Sequence, residues 1–260
     1  MFPATKIVNL DVKSLLKTTE LSMKNPTLIQ LEAGFVNPVL IANDENSILV
    51  DTGRKGFGKK IIQQIEKAGL KPSDIKLIIL THTHFDHAGN ARFLKEKTGA
   101  KILVHKNEAE CLEKGYTVIP RGTMPFSKRL SWIGRNIVPF IGKYPSVKPD
   151  IIVEKAFDLS PWKLGASIIY TPGHTHGSVS VVLNDILLAG DMFFNRGLKG
   201  VFPPFADDPE LLLKSWEKVF ELGIKTIYPG HGARISVNKA METYKIKKKE
   251  FTVNKSLLSG

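Results

Sequence analysis

The sequence predicts an α/β fold, a four-layer αββα sandwich in which two sheets pack face to face with helices outside. Three observations carry that reading. Short β-branched runs alternate with amphipathic stretches, once before and once after a proline-rich segment. Each half supplies several strands together with helices, the element content of a sheet that is covered on one side. Apolar runs repeatedly end in a Gly or Pro-Gly corner that delivers an imidazole or a carboxylate, as expected of strand ends that build a site. The halves share element content without a sequence repeat.

Taken in order, Thr27 to Leu31, Val39 to Ala42 and Ser47 to Val50 read as an antiparallel start, with Asn43-Asp44-Glu45-Asn46 as a turn. A helix is expected over Gly58 to Ala68, with Ile61, Ile62 and Ile65 on one side and Gly69 as its stop. Strand Ile75 to Leu80 leads into Thr81-His82-Thr83-His84-Phe85-Asp86-His87-Ala88-Gly89-Asn90. Asn90 is placed to N-cap a helix reaching Lys97, which Gly99 ends. Lys101 to His105 reads as a strand with an ordinary terminal histidine, and Asn107 to Lys114 as a helix in which Cys111 is a buried structural thiol. From Gly115 to Asp150 the composition changes, with five prolines among Met124, Phe126, Trp132, Ile133, Ile137, Phe140 and Ile141. This reads as an inserted pair of short helices joining the two halves, a lid or binding element on one reading and a packing element on the other. The second half continues with strands Ala166 to Tyr170, Ser178 to Leu183 and Asp185 to Ala189, with a tight turn at Asn184-Asp185. A helix over about Pro209 to Leu222, a strand Lys225 to Tyr228 and a last helix from Val237 complete a single domain spanning 1–260.

Composition narrows the class. Hydrophobic content of 42% and charged content of 24% are those of a soluble globular protein. No apolar run is long enough to cross a bilayer, and Met1 to Lys6 does not open a signal peptide, so a cytoplasmic location is expected. A single cysteine excludes a disulfide framework and a thiolate-only metal site. The net charge of +12 is concentrated at Lys245 to Lys249 and over 121–148, where Arg121, Lys128, Arg129, Arg135, Lys143 and Lys148 have no acidic neighbour. These are either solvated faces or an anion-attracting surface. No RNA- or DNA-reading motif accompanies them, so nucleic acid is a weak expectation as partner beside a small-molecule substrate, for a monomer or homodimer.

The chemistry is concentrated in 81–90. Imidazole and carboxylate suit zinc and the neighbouring first-row metals. In an extended segment His82 and His84 project to one side, because side chains alternate, and the Asp86-His87 step turns the chain to aim two more ligands from another direction. Other strand ends deliver Asp51, His174 (through Thr171-Pro172-Gly173), Asp191 (after Gly190) and His231 (through Pro229-Gly230). If those ends share one edge, the groups converge; the inference assumes common strand polarity. No Ser-His-Asp arrangement competes, and Gly53 to Gly58 lacks the Gly-Lys-Ser/Thr ending of a phosphate loop.

The segments Thr81 to Asn90, Thr171-Pro172-Gly173-His174, Gly190-Asp191 and Pro229-Gly230-His231-Gly232, in this order, resemble the metallo-β-lactamase superfamily over about residues 27–235. The resemblance implies two metal ions per chain, Zn2+ first with Fe or Mn as other candidates. His82, His84 and His174 would hold one; Asp86, His87 and His231 would hold the other; Asp191 would bridge both. Asp51 would orient a ligand instead of binding metal. His176 is not a ligand position of the family and is left as a contact for substrate or as an exposed residue. Two ions about 3.5–4 Å apart share a hydroxide that attacks an electrophilic centre, and Asp86 would also orient the nucleophile or shuttle a proton.

Departures from the family pattern narrow the activity. The family's true β-lactamases lack an aspartate at the position of Asp191, and its flavodiiron enzymes carry glutamate at that of His84. Dedicated glyoxalase II enzymes follow the last metal histidine with Glu-Tyr, where this chain has Gly232-Ala233. Quorum-quenching lactonases place a tyrosine three residues after the bridging aspartate; here that residue is Phe194. The expectation is a hydrolase of a small ester, thioester or lactone, with Met124, Phe126, Trp132 and Phe140 as an apolar acyl wall. The alternatives are a phosphodiesterase acting on nucleic acid or nucleotides and a mononuclear-iron persulfide dioxygenase.

Overall fold

The computed structural model describes residues 26–43 and 46–258. Met1 to Lys6, on which the signal-peptide reading rests, and two residues of the Asn43 to Asn46 turn lie outside them. The first sheet is β1 (Thr27–Gln30), β2 (Val39–Ala42), β3 (Ser47–Val50), β4 (Ile75–Ile79), β5 (Lys101–His105) and β6 (Ile151–Val153), in that spatial order. The second is β7 (Phe157–Asp158), β8 (Ala166–Tyr170), β9 (Val179–Leu183), β10 (Ile186–Asn195), β11 (Thr226–Gly232) and β12 (Ile235–Ser236), again in sequence order across the sheet. Helices α1 (Gly58–Lys67), α2 (Ala91–Thr98) and α3 (Lys106–Lys114) belong to the first half, followed by α4 (Pro125–Asn136); α5 (Pro209–Phe220) and α6 (Val237–Leu258) belong to the second.

Strand alternation produces the layers. Along β4 and the residue after it, Leu77 and Ile79 enter a core between the sheets, whereas Ile78 and Leu80 enter a core beneath the helices. The central core joins Val39, Ile41, Ile48 and Leu103 to Ile168, Val181 and Leu188 of the second sheet. One outer core packs Leu40, Leu49 and Ile102 against Ile61 and Ile65 of α1, Leu94 of α2 and Leu112 of α3. The other packs Val182, Leu187 and Ile227 against Leu212, Trp216 and Val219 of α5 and Ala240 of α6. Three cores stacked between two sheets and two sets of helices make the αββα sandwich.

Strand polarity is what gathers the site. β3 and β4 are parallel, so Asp51 and the 81–90 stretch leave one edge together. β10 and β11 are parallel, and β8 is antiparallel to β9, which is antiparallel to β10. The C-terminal ends of β8, β10 and β11 therefore also point one way.

Several elements depart from the sequence reading. Segment 115–150 holds one helix, α4, and a short 3-10 turn at Pro139–Gly142, instead of two helices. It returns the chain to the first sheet as β6, parallel to β5, so the crossover between the halves follows it. Three of the four edge strands, β6, β7 and β12, are two or three residues long, too short for alternation to show. β10 runs on to Asn195 because, after register shifts around Gly190, Phe194 and Asn195 pair with His231 and Gly232. Asn90 stands at the N-cap of α2 without capping it. Its amide donates to Thr52 O and Arg54 O, both at 2.7 Å, and its Oδ1 accepts from Gly58 N at 3.1 Å, so it serves the start of α1 instead. Cys111 is half-buried, and burial pushes its thiol pKa up. No helix among the described residues is long and apolar enough to cross a membrane.

Candidate metal centre

The 81–90 stretch leaves β4 and turns sharply, with the N–H groups of His87 and Ala88 both donating to His84 O. That turn places Asp86 and His87 opposite the second sheet. Around it the structure assembles three overlapping groups, each with ligand atoms within 4.8 Å of one another: His82, His84 and His174; His82, His87 and Asp191; and Asp86, His87 and His231. Asp191 lies between them, with Oδ2 3.6 Å from His174 Nε2 and 3.3 Å from His231 Nε2.

Three of the rings are oriented from behind. Nδ1–H of His174 donates to Phe205 O at 2.9 Å and that of His231 to Phe35 O at 2.7 Å. A carbonyl only accepts, so Nδ1 carries the hydrogen and Nε2 keeps its lone pair toward the centre. His87 Nδ1 meets Asp51 Oδ2 at 2.8 Å. Asp51 follows β3 at φ 63°, a conformation that aspartate tolerates better than most residues. Its Oδ1 also accepts from Thr81 N at 2.8 Å, tying the end of β3 to the entry of the histidine stretch. Gly230 is needed for close approach: a Cβ there would stand 2.5 Å from Asp191 Oδ1 and 2.7 Å from His87 Cε1.

The donor set fits divalent cations. His82 Nε2, His87 Nε2 and Asp191 Oδ1 are buried without a hydrogen-bond partner; His87 Nε2 and Asp191 Oδ1 are 3.0 Å apart but misaligned for a hydrogen bond. His84 Nδ1 faces His174 Nε2 at 3.0 Å. Burial, followed by the neighbouring imidazole of His174, pushes the pKa of His84 down to about 3, leaving it neutral, the form that binds metal. Burial acts the same way on His231, but the carboxylates of Asp191 and Asp86 outweigh it and lift the pKa to about 10. The carboxylates thus create a demand for positive charge where the unpartnered nitrogens converge. Nitrogen and oxygen donors without thiolate suit zinc, manganese or iron.

The centre forms the floor of a cavity of about 600 Å3, within the range of small-molecule sites. His84, Asp86, His174, Asp191 and His231 supply its polar end. Ile119, Phe126, Leu130, Ile133, Leu198 and Phe205 build its apolar wall, and Arg196 is the one permanent cation among the lining residues.

A profile of the metallo-beta-lactamase superfamily matches residues 31–231, which include every residue of this cluster. The chain belongs to that superfamily. It is 29% identical to a probable metallo-hydrolase of Methanocaldococcus jannaschii, over 75% of this chain and 87% of the relative. It is 26% identical to a hydroxyacylglutathione hydrolase of Haemophilus influenzae, over 83% of this chain and 94% of that protein. A subclass B3 metallo-beta-lactamase from Bradyrhizobium japonicum shares the fold, with a TM-score of 0.61 at 22% identity over 91% of this chain and 95% of that one. The chain is accordingly a metal-dependent hydrolase.

The hydrolase places its expected wall residues unequally. Phe126 and Phe194 line the cavity. Met124, Trp132, Phe140 and His176 do not. The cavity face of α4 is Phe126, Leu130 and Ile133, at helical spacing i, i+4, i+7, which turns Trp132 outward to 60% exposure; Phe140, on the following 3-10 turn, is 69% exposed. Met124 precedes α4 as its N-cap. His176 is exposed, and its backbone carbonyl accepts from Tyr170 OH at 2.8 Å and Asn107 Nδ2 at 3.0 Å. His105 stacks on Tyr170 with ring centroids 4.5 Å apart, away from the centre.

One residue escaped the sequence reading. Glu108 of α3 is buried, and its Oε2 accepts from Thr83 N at 2.9 Å and from Thr83 Oγ1, between His82 and His84. Its Oε1 accepts from Thr175 Oγ1 at 2.7 Å, one residue past His174. A single carboxylate thus joins the two loops that supply the first ligand group. A glutamate at an apolar position of a short helix is the only trace of this in the sequence.

Proposed function

We propose that this chain is a dinuclear hydrolase cleaving an ester, thioester or lactone with an apolar acyl part. The observation that carries the reading is the place of Asp191, a carboxylate whose oxygen is shared between His174 of one ligand group and His231 of the other. His82, His84 and His174 would hold one ion, Asp86, His87 and His231 the second, and Asp191 both. Ions bound there would lower the pKa of water into the neutral range and polarise the scissile carbonyl.

The chain's own residues do the rest. Asp51 holds the His87 ring, and the carbonyls of Phe205 and Phe35 hold His174 and His231, so little reorganisation accompanies reaction. Asp86, with Oδ2 3.4 Å from His231 Nε2 and facing the cavity, is placed to hold a proton for the leaving group. Ile119, Leu130, Ile133 and Phe205 exclude water from the acyl side. Phe194 packs on His231 with centroids 5.1 Å apart and has no hydroxyl to offer a substrate carbonyl, which favours an open-chain ester or thioester over a lactone. The Haemophilus relative's name, that of a thioester hydrolase, supports the same class.

The test is a panel of thioester, ester, lactone, β-lactam and phosphodiester substrates with metal counted on the same sample. Two metals per chain and acyl hydrolysis are expected. One iron per chain with oxygen consumption on a persulfide, or turnover of the phosphodiester alone, would refute the reading.

A further inference from the structure

The two basic concentrations are treated differently by the fold. The C-terminal one lies on α6, and two of its four lysines are neutralised: Lys248 pairs with Glu217 at 2.9 Å and Lys247 with Glu250 at 2.7 Å. The other runs along the 121–148 segment that contains α4. Arg121, Lys128, Arg129, Arg135, Lys143 and Lys148 are all exposed, and none of them forms an ion pair among the described residues. Between 121 and 148 the sequence has no acidic residue.

The same segment carries the molecule's exposed apolar side chains. Eight of the thirteen large ones exposed among the described residues lie from Val118 to Ile141. Leu130, Trp132, Ile137, Val138, Phe140 and Ile141 are among them, a concentration in one segment that single residues scattered over a surface would not give. Ser127, Ser131 and Gly134 turn the opposite side of α4 inward, with Ser131 Oγ donating to Pro120 O at 2.7 Å, so the apolar side chains are left outside by the way the helix is seated. Lys143 Nζ sits 4.5 Å from the Phe140 ring centroid, a cation held beside an aromatic of the same segment.

We propose that the α4 segment is a docking surface for an anionic lipid membrane. Exposed aromatic and aliphatic side chains interleaved with lysine and arginine in one segment, with no acid within it to oppose the surface potential, suit a helix lying in the headgroup plane. An exposed tryptophan, Trp132, with apolar body and N–H tip, suits that interface. A second protein with a purely apolar face would leave the cations of this segment unpaired, whereas anionic headgroups match both components at once. Leu130 and Ile141 are exposed and also line the cavity, so the docked segment borders the cavity mouth. The inference does not depend on which bond is cleaved.

The test is flotation of the full chain with vesicles of phosphatidylcholine alone and of phosphatidylcholine with phosphatidylserine, at low and high salt. Binding is expected to the phosphatidylserine vesicles only, and to weaken with salt. A Trp132→Ala/Phe140→Ala variant is expected to lose on the order of tenfold or more in partitioning, with circular dichroism and metal content unchanged. Lys128→Glu/Arg129→Glu is expected to abolish the preference for phosphatidylserine. Absence of binding to either vesicle, or binding that the Trp132→Ala/Phe140→Ala variant retains, would overturn the proposal. So would a dimer that this variant dissociates in the absence of vesicle binding, which would assign the face to a second copy of the chain.

Discussion

The metal centre and the α4 wall face each other across one cavity and are specified in different ways. The centre is buried and polar, and its candidate ligands are held by partners on other elements: Asp51 behind His87, Phe205 O behind His174, Phe35 O behind His231, Glu108 between two loops. The α4 wall is apolar, borders solvent, and rests on one helix whose rotation decides which side chains face the cavity. The comparison teaches that a polar constellation leaves a readable pattern because each group must be satisfied, whereas an apolar surface tolerates many patterns and is chosen by packing.

The difference can be broken most severely at the shared carboxylate. Asp191→Ala should cost more than about 100-fold in kcat/KM and lower the metal content, since even partners that only orient a ligand cost 10- to 100-fold; steady-state kinetics with metal analysis checks this. Next comes Glu108→Ala, expected to weaken metal affinity by about 10- to 100-fold while the fold persists. Glu108→Gln should recover part of that loss, because one oxygen still accepts a hydrogen bond, and competition with a chelator reads both. On the wall, Ile133→Ala should lower kcat/KM by roughly tenfold for substrates with a long acyl group and leave short ones unchanged. The smallest effect is expected at Trp132→Ala, within about twofold on a water-soluble substrate, because the side chain points away from the cavity. A large loss there would erase the distinction between wall and outer surface.

Legibility followed the same division. The long strands and helices of the sandwich announced themselves by alternation and by the 3.6-residue period, and the 81–90 stretch by its density of imidazole. The edge strands β6, β7 and β12 were silent because two or three residues carry no period. Glu108 was silent for another reason: its partners Thr83 and Thr175 lie 25 and 67 residues away, and nothing local marks a carboxylate that will be buried against them. Asn90 stood where expected yet turned its amide toward the start of α1, because the Thr52 to Gly58 loop had unsatisfied backbone groups within reach.

By itself, the sequence determined the donor types, their order, and the local turns that aim them: His-x-His in an extended segment, Asp-His after a turn, Pro-Gly corners before His174 and His231. These are short-range properties, set by backbone geometry within a few residues. Only the tertiary structure decided that β3 and β4 run parallel, that β8, β10 and β11 share one direction, and that α4 faces the cavity with Leu130 and Ile133 and solvent with Trp132. Strand polarity and helix rotation depend on what lies across the core, and the residues that settle them are far away along the chain.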